Sequence, residues 1–197
     1  MAMRAAFATV AAAALGVAAL WWGTDGGATL TAEAARRRDI AAAPQQLPDV
    51  TLHDQTGATV TLSEYRGAPL VLEFIYATCP DICLALGTTF EQLDASLPQD
   101  ARLVSISFDP RDDTEHLGWF AERHNAQAPR WRVAGITDDA ARKALISRAG
   151  VVVIPDGMGG FVHNAGLYLV DPQGRLTAVF DPEDTEGLRA ALAGDAG

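Results

Sequence analysis

The chain has 197 residues, with 15 basic and 25 acidic side chains, and 49% of its residues are hydrophobic. Residues 41–197 contain 11 basic and 22 acidic residues, a net charge of −11. A region this acidic, with Lys143 as its single lysine, is a poor nucleic-acid binder, so no nucleic-acid partner is expected. The length after the N-terminal segment allows one domain with a full core.

The chain begins with an apolar segment that indicates a membrane anchor. Residues 5–22 carry no charge, follow Arg4 and end in Trp21 and Trp22, which suit a membrane interface. The run would span roughly 27 Å as a helix, close to the thickness of a bilayer core. We therefore predict an N-terminal transmembrane anchor at residues 1–22. A cleaved signal segment is the alternative, although the nearest small-x-small site, Ala32-Glu33-Ala34, lies far downstream.

Charges beside this segment predict its orientation. Arg4 on the short side favours a cytoplasmic N-terminus, whereas Arg36, Arg37 and Arg38 argue weakly against it. No Arg- and Ser-rich presequence precedes the run, which favours a bacterial protein over a mitochondrial import product. The expected location is the bacterial inner membrane, with the soluble domain on the periplasmic or outer face.

A linker and a hairpin are predicted next. Residues 23–46 mix Gly, Ala and charge without strand periodicity, which predicts a flexible linker before a domain at 47–197. Residues 50–52 and 59–62 flank a turn that contains Gly57, which is typical of a β-hairpin. His53 lies at the edge of that turn and is expected to be an exposed surface residue.

Both cysteines of the chain follow an apolar strand and begin a helix. Leu70 to Tyr76 is rich in strand formers, and residues 82–97 have apolar residues at helical spacing. Pro80 suits the first helical position, which makes Cys79 the expected N-cap residue. Cys83 lies four residues on, so both sulfurs can face one side of the first turn, where the helix dipole stabilises thiolate.

This spacing permits either a shared metal ion or a Cys79–Cys83 disulfide. Two buried cysteines that are neighbours by chance are the simpler alternative, but the only two cysteines of the chain fall within one turn. Dithiol oxidoreductases of the thioredoxin kind have two residues between their cysteines, and three disfavour rapid disulfide exchange. Soft thiolates select Cu(I), so copper is the leading ligand.

The second half of the chain continues as alternating strands and helices. Asp113 or Thr114 can cap a helix in which His124 shares a stripe with apolar residues, and both His116 and His124 are expected to be structural or solvated. The remaining predicted elements are a strand at 102–108, a short strand at 131–135, a helix at 137–149, an apolar strand at 151–154, a mobile glycine loop at 155–160, strands at 166–170 and 176–180, and a last helix with Asp181 as N-cap.

This order predicts an α/β, thioredoxin-like three-layer fold with an extra N-terminal β-hairpin and an insertion. In such a fold the loop before residue 166 runs beside the turn that opens the first helix, which brings His163 next to Cys79 and Cys83. A lone histidine in a polar loop is usually solvated. Two thiolates and an imidazole nevertheless suit Cu(I), and Cu(II) if a further ligand joins, whereas structural zinc wants four protein ligands.

The chain resembles the Sco/SenC/PrrC family of membrane-anchored thioredoxin-fold copper chaperones from about Leu47 to Leu192. The resemblance rests on Thr78-Cys79-Pro80-Asp81-Ile82-Cys83, Ser107-Phe108-Asp109-Pro110 before Asp113-Thr114, Trp131, and His163 ahead of Leu167-Tyr168-Leu169-Val170-Asp171-Pro172 with Gly174. It implies one copper ion per chain, bound by Cys79, Cys83 and His163.

Three positions depart from the family pattern. Leu84 stands where a proline is usual, Asn164 where a serine or similar residue is usual, and Asp112 where an arginine is common, with Arg111 one position early. These departures spare the ligands and affect the expected partner-recognition surface.

The resemblance implies a metallochaperone that assists assembly of the CuA centre of cytochrome c oxidase. The implied partners are subunit II of that oxidase or another copper chaperone. Two enzymatic alternatives stay open. The first is a thiol-disulfide oxidoreductase, in which Cys79 attacks a partner disulfide and Cys83 resolves the product. The second is a peroxidase of the same fold, which needs a low-pKa cysteine and donors for a peroxide anion.

Overall fold

The computed structural model describes residues 2–24, 26, 31–79 and 82–194, which form two compact units, Met1–Ala42 and Ala43–Gly197. The helices of the first unit are α1 (Ala2–Gly23) and α2 (Ala32–Ala42). The second unit contains β1 (Gln45–Gln46), β2 (Thr51–Asp54), β3 (Thr59–Thr61), β4 (Leu70–Ile75), α3 (Ile82–Ser96), β5 (Arg102–Ser107), α4 (Thr114–Arg123), β6 (Trp131–Gly135), α5 (Asp139–Ala149), β7 (Val153–Pro155), β8 (Phe161–His163), β9 (Leu167–Val170), β10 (Arg175–Phe180) and α6 (Thr185–Gly194).

The first unit is more helical than the sequence pattern indicated. The segment 23–46 was expected to be a linker, yet it contains α2 and, in the second unit, the short strand β1. Alanine and arginine favour helix, Thr31 caps α2 by accepting from Ala34 N at 3.1 Å, and Glu33 pairs with Arg36 and Arg37. The hydrogen bond from Arg36 is the main reason that the pKa of Glu33 is lowered to about 2.

The helix α1 coincides with the predicted N-terminal segment. Among the described residues, no helix combines the length and apolar character needed to cross a membrane.

The second unit is built on an eight-stranded mixed sheet with the order β1-β10-β9-β4-β5-β6-β2-β3. Strands β4, β5 and β6 are parallel, and β9 runs antiparallel to β4. All six residues of β4 are buried, so both faces of the sheet are covered at its centre, as expected for a three-layer fold. The predicted N-terminal hairpin is confirmed as β2 and β3, and β2 extends the sheet beyond β6.

Two predicted elements differ from the structure. An apolar strand was expected at 151–154; the structure has the strand β7 at Val153–Pro155, but it pairs with β8 in a separate two-stranded sheet, where Ile154 is 56% exposed. The last helix begins at Thr185, because Asp184 rather than Asp181 accepts the hydrogen bond from Gly187 N, at 3.0 Å. Pro80, predicted as the first residue of the cysteine helix, lies outside the described residues.

Candidate copper site

The cysteine pair lies at the carboxyl end of the central strand β4. Cys79 is reached by a turn in which its N–H donates to Tyr76 O at 3.1 Å. The Cys79 sulfur then accepts from Cys83 N at 3.4 Å. This bond satisfies an N–H in the first turn of α3, where the helix dipole also favours negative charge on sulfur. The interaction is the one expected of a residue that caps the cysteine helix.

Both thiols are unbridged and buried, with 4% of Cys79 and 0% of Cys83 exposed. The side-chain hydrogen bond with Cys79 and, after it, burial raise the pKa of Cys83 well above the usual range of a thiol. In the protein without metal, Cys83 therefore keeps its proton beside the sulfur of Cys79. A thiophilic metal ion would have to displace that proton to bind both sulfurs.

His163 ends β8 and faces the cysteine pair. Its Nε2 lies 3.6 Å from Cys83 Sγ. Its Nδ1 lies 3.3 Å from the Asn164 carbonyl oxygen, which identifies Nδ1 as the protonated nitrogen of a neutral ring and leaves the lone pair of Nε2 directed at the sulfur. Burial lowers the pKa of His163, so the ring is neutral at physiological pH. The sequence placed His163 in a loop, whereas the structure places it in a strand.

An aromatic cluster encloses the histidine. The Phe108 ring lies 4.9 Å from the His163 ring, and Phe161 lies 5.3 Å from Tyr76 and 5.5 Å from Phe108, between ring centroids. Burial, followed by the hydrogen bond with Cys79, raises the pKa of Tyr76 to about 12, so its hydroxyl stays protonated. These aromatic residues had no predicted role at the site. The available signal was that Tyr76 and Phe108 directly follow two adjacent parallel strands.

The loop from Asp109 to Asp112 contacts both the turn that leads to Cys79 and the β7–β8 hairpin that carries His163. The Asp112 carboxylate accepts from Ala77 N at 2.7 Å and from Ser107 Oγ at 2.5 Å, which supports the turn that leads to Cys79. Arg111 Nη2 donates to the carbonyl oxygen of Gly159, at 2.7 Å, in the turn between β7 and β8. Asp112 and Arg111 were both singled out as departures from the family pattern, and the structure gives each a contact beside the site.

The other three histidines make contacts elsewhere. His53 Nδ1 lies 3.2 Å from Thr59 Oγ1, and His116 Nδ1 lies 2.8 Å from Asp113 Oδ1. His124 is buried and packs with a ring-centroid distance of 4.6 Å on Phe120. His124, which was expected to be structural or solvated, is thus buried, whereas His53 is half-buried rather than exposed.

The three predicted ligands are brought together incompletely. Cys83 contacts both Cys79 and His163. In the part of the chain that the structure describes, however, no three His, Cys, Asp or Glu side chains are arranged to hold a metal ion as they stand. The structure thus gathers the sulfur and nitrogen donors but not a finished coordination geometry.

Comparison with known proteins identifies the family to which this chain belongs. The sequence profile of the SCO1/SenC family matches residues 39–193. The chain belongs to this family of proteins with a thioredoxin-like fold. It is 28% identical over 132 residues to the SCO1 protein homolog of Bacillus subtilis, and the match covers 64% of this chain and 68% of the relative.

Solved structures of Sco proteins share the fold. BsSco, a member of the Sco family of cytochrome c oxidase assembly proteins in which a disulfide switch is identified, matches with a TM-score of 0.68 and 20% identity over 78% of this chain and 95% of its own. Bradyrhizobium japonicum ScoI with copper bound matches with a TM-score of 0.62 and 24% identity, over 75% of this chain and 98% of its own.

Proposed function

We propose that this chain binds one copper ion through Cys79, Cys83 and His163 and carries it as cargo. The observation that carries the proposal is the 3.6 Å contact between Cys83 Sγ and the Nε2 lone pair of His163, beside a second cysteine. Two soft sulfur donors and one neutral imidazole suit Cu(I), and Cu(II) with a further ligand. Family membership and the copper-bound ScoI structure support the same assignment.

Copper binding requires a small rearrangement of these residues. Cys83 must lose the proton that it shares with Cys79, and the sulfurs must turn toward one point together with His163. Because His163 is neutral and keeps Nδ1–H on the Asn164 carbonyl, it needs no deprotonation to become a ligand. Cargo release reverses these steps as thiolates of a partner replace those of the chain.

The proposed recipient is the CuA centre in subunit II of cytochrome c oxidase, with another copper chaperone as a possible donor or acceptor. The description of BsSco as a member of a family of cytochrome c oxidase assembly proteins supports this role. The net charge of −11 on residues 41–197 favours a partner with a basic docking face and mainly accelerates encounter.

We also propose that the chain is anchored in the bacterial inner membrane, with its N-terminus in the cytoplasm and the copper-binding domain on the periplasmic or outer face. The support is the uncharged run at residues 5–22 after Arg4. Cell fractionation followed by protease treatment of spheroplasts tests it. Protection of the domain from protease in spheroplasts would contradict this topology.

A thiol-disulfide oxidoreductase is the second candidate. The contact between Cys83 N and Cys79 Sγ at 3.4 Å keeps the two side chains near enough to pair. In this reaction Cys79 thiolate attacks a partner disulfide, forms a mixed disulfide and releases the first partner sulfur as a thiolate. Cys83 then gives up its proton and attacks the Cys79 sulfur, which releases the second partner sulfur as a thiolate. The Cys79–Cys83 disulfide forms as two electrons and two protons pass to the partner.

Copper titration of the reduced full-length chain in detergent separates the two functions. We expect one Cu(I) per wild-type chain, at least about 100-fold weaker binding in Cys83→Ser, and about tenfold weaker binding in His163→Ala. His53→Ala is the matched control, because His53 contacts Thr59 rather than the cysteine pair, and it should bind like wild type. Weak copper binding that is indifferent to His163, together with a rapidly exchanging Cys79–Cys83 disulfide, would favour the oxidoreductase.

A further inference from the structure

The position of His163 depends on a hairpin that is separate from the main sheet. Strands β7 and β8 pair with each other in their own two-stranded sheet. Within the described residues, the backbone bonds of the eight-stranded sheet therefore do not set the position of His163. Side-chain contacts must hold the hairpin so that His163 Nε2 stays near Cys83 Sγ.

Asn164 fastens one end of this hairpin. Its Oδ1 accepts from Val152 N at 2.6 Å, and its Nδ2 donates to Gly150 O at 3.1 Å. At the other end, Tyr76 OH lies 3.5 Å from Phe161 O, the outer limit of a hydrogen bond. The bond from Arg111 to Gly159 O, at 2.7 Å, is therefore a stronger polar contact between the turn and a residue outside the hairpin.

Arg111 contacts the hairpin at two points. Its Nη2 donates to Gly159 O at 2.7 Å, and its guanidinium carbon lies 5.3 Å from the centroid of the Phe161 ring, a distance typical of a cation–π contact. Phe161 is two residues from His163 and on the same side of β8. The Arg111 side chain thus contacts the strand that carries His163.

A buried carboxylate orients Arg111. The Asp109 side chain is 1% exposed, whereas the Arg111 side chain is 56% exposed. Arg111 Nε lies 2.8 Å from Asp109 Oδ1, and Nη2 lies 2.6 Å from Oδ2. This two-point pairing fixes the plane of the guanidinium, and Nη2 remains able to reach Gly159. A lysine has no planar fork and cannot make all of these contacts together.

We propose that Arg111 is a positioning residue that holds the β7–β8 hairpin against the cysteine turn and thereby sets how strongly His163 binds copper. This inference rests on the proposed function for its consequence in copper binding. Loss of Arg111 should loosen the hairpin and weaken the contribution of His163, while the two sulfur ligands remain in place.

The first test measures the hairpin without copper, in the full-length chain. Amide hydrogen exchange is compared in wild type, Arg111→Ala, Arg111→Lys and Arg148→Ala. Arg148 is an exposed arginine at the end of α5 that contributes none of the contacts described above, so its variant controls for the loss of one positive charge. Arg111→Ala should exchange at residues 153–163 about tenfold faster, Arg111→Lys should be intermediate, and β4 should be unchanged in all variants.

The second test asks whether Arg111 acts through His163. Cu(I) affinity is measured by chelator competition in wild type, both single variants and Arg111→Ala/His163→Ala. Arg111→Ala should weaken binding about threefold to tenfold in wild type and less than about twofold in the His163→Ala background. NMR signals of the His163 ring in the metal-free protein should shift in Arg111→Ala and not in Arg148→Ala.

The two tests separate failure of this inference from failure of the proposed function. Equal hairpin exchange in Arg111→Ala and Arg148→Ala would overturn the positioning role, whatever the copper data show. Equal loss of copper affinity with and without His163 would also overturn it, because Arg111 would then act on another part of the site. A wild-type chain that binds no copper would instead overturn the proposed function, and hydrogen exchange would still decide whether Arg111 holds the hairpin.

Discussion

The two parts of the candidate site, the cysteine turn and the β7–β8 hairpin, differ in how much of their surroundings is buried. The cysteine turn follows β4, whose residues are all buried and which is bonded to strands on both sides. The hairpin that carries His163 is two-stranded and exposes Val152, Ile154, Met158 and Val162 by 56% to 89%. The buried strand β4 therefore holds the sulfurs of Cys79 and Cys83 in place. We expect the position of the His163 nitrogen, on the more exposed hairpin, to change more easily.

This difference bears on the proposed function, in which the chain both holds and releases a copper ion. Regions with few buried contacts open locally at low free-energy cost, whereas a central strand opens only with the whole domain. We therefore expect the hairpin to move away more easily than the cysteine turn. Withdrawal of His163 would leave copper on two sulfurs, open to attack by a partner thiolate.

The largest expected effect is the difference in unfolding free energy lost between one truncation in β4 and a matched truncation in the hairpin. Leu72→Ala in β4 removes a side chain that is 0% exposed, and it should lower the free energy of unfolding by about 3 kcal/mol because it leaves a cavity. Ile154→Ala in β7 should change it by less than about 0.5 kcal/mol. Urea unfolding measures both. Similar losses in the two variants would show that the hairpin is part of the cooperative core.

The strand β4 contains a buried carboxyl group, Glu73, which should make the free energy of unfolding depend on pH. Glu73 is 0% exposed; its Oε1 accepts from Ser105 Oγ at 2.5 Å, and no hydrogen-bond partner for Oε2 is present in the described part of the chain. Burial raises the pKa of Glu73 from 4.5 to about 8. The folded state therefore holds a proton that the unfolded state releases above pH 4.5. The stability that this proton represents is present at low pH and is lost as the pH rises toward 8.

Glu73→Gln should remove this dependence, because glutamine imitates the protonated acid at every pH. Relative to the variant, wild type should lose roughly 2–3 kcal/mol of unfolding free energy between pH 5 and pH 7, about one proton over two pH units. Chemical denaturation at several pH values measures the difference. Parallel curves for the two proteins would contradict a protonated Glu73 in the folded core.

The sequence predicted the part of the site that lies in the core better than the hairpin. Long apolar runs at β4 and β5 were recognised correctly, and Asp113 was one of the two residues predicted to cap α4, because burial on both faces and helix capping leave local patterns. Cys79, Cys83 and His163 were also placed near one another, through the expected thioredoxin-like order of elements. For residues 151–154 the sequence predicted a strand but not its sheet, because a short apolar stretch looks the same in a core strand and in an exposed hairpin.

Contacts between distant residues were beyond the reach of local patterns. Asp112 and Ala77 are 35 residues apart, and Arg111 and Gly159 are 48 apart, so neither bond appears in the spacing of either segment. The helix α2 was missed for another reason. It has no apolar stripe and therefore no helical periodicity, and its main local signal is the helix propensity of Ala and Arg. The mobility expected of the glycine loop at 155–160 stays a prediction.

The smallest expected effect uses two neighbours on one loop to separate the two parts of the site. Asp112→Ala removes the acceptor of Ala77 N and should cost about 1–2 kcal/mol of unfolding free energy, while Asp112→Asn keeps an acceptor oxygen and should cost less. Asp112→Ala should accelerate amide hydrogen exchange at Ala77 and leave exchange at residues 153–163 unchanged. Arg111→Ala should show the opposite pattern, although the two side chains are adjacent in sequence. Acceleration of both regions by either variant would show that the cysteine turn and the hairpin move as one body, and His163 could not then withdraw while the sulfurs stay in place.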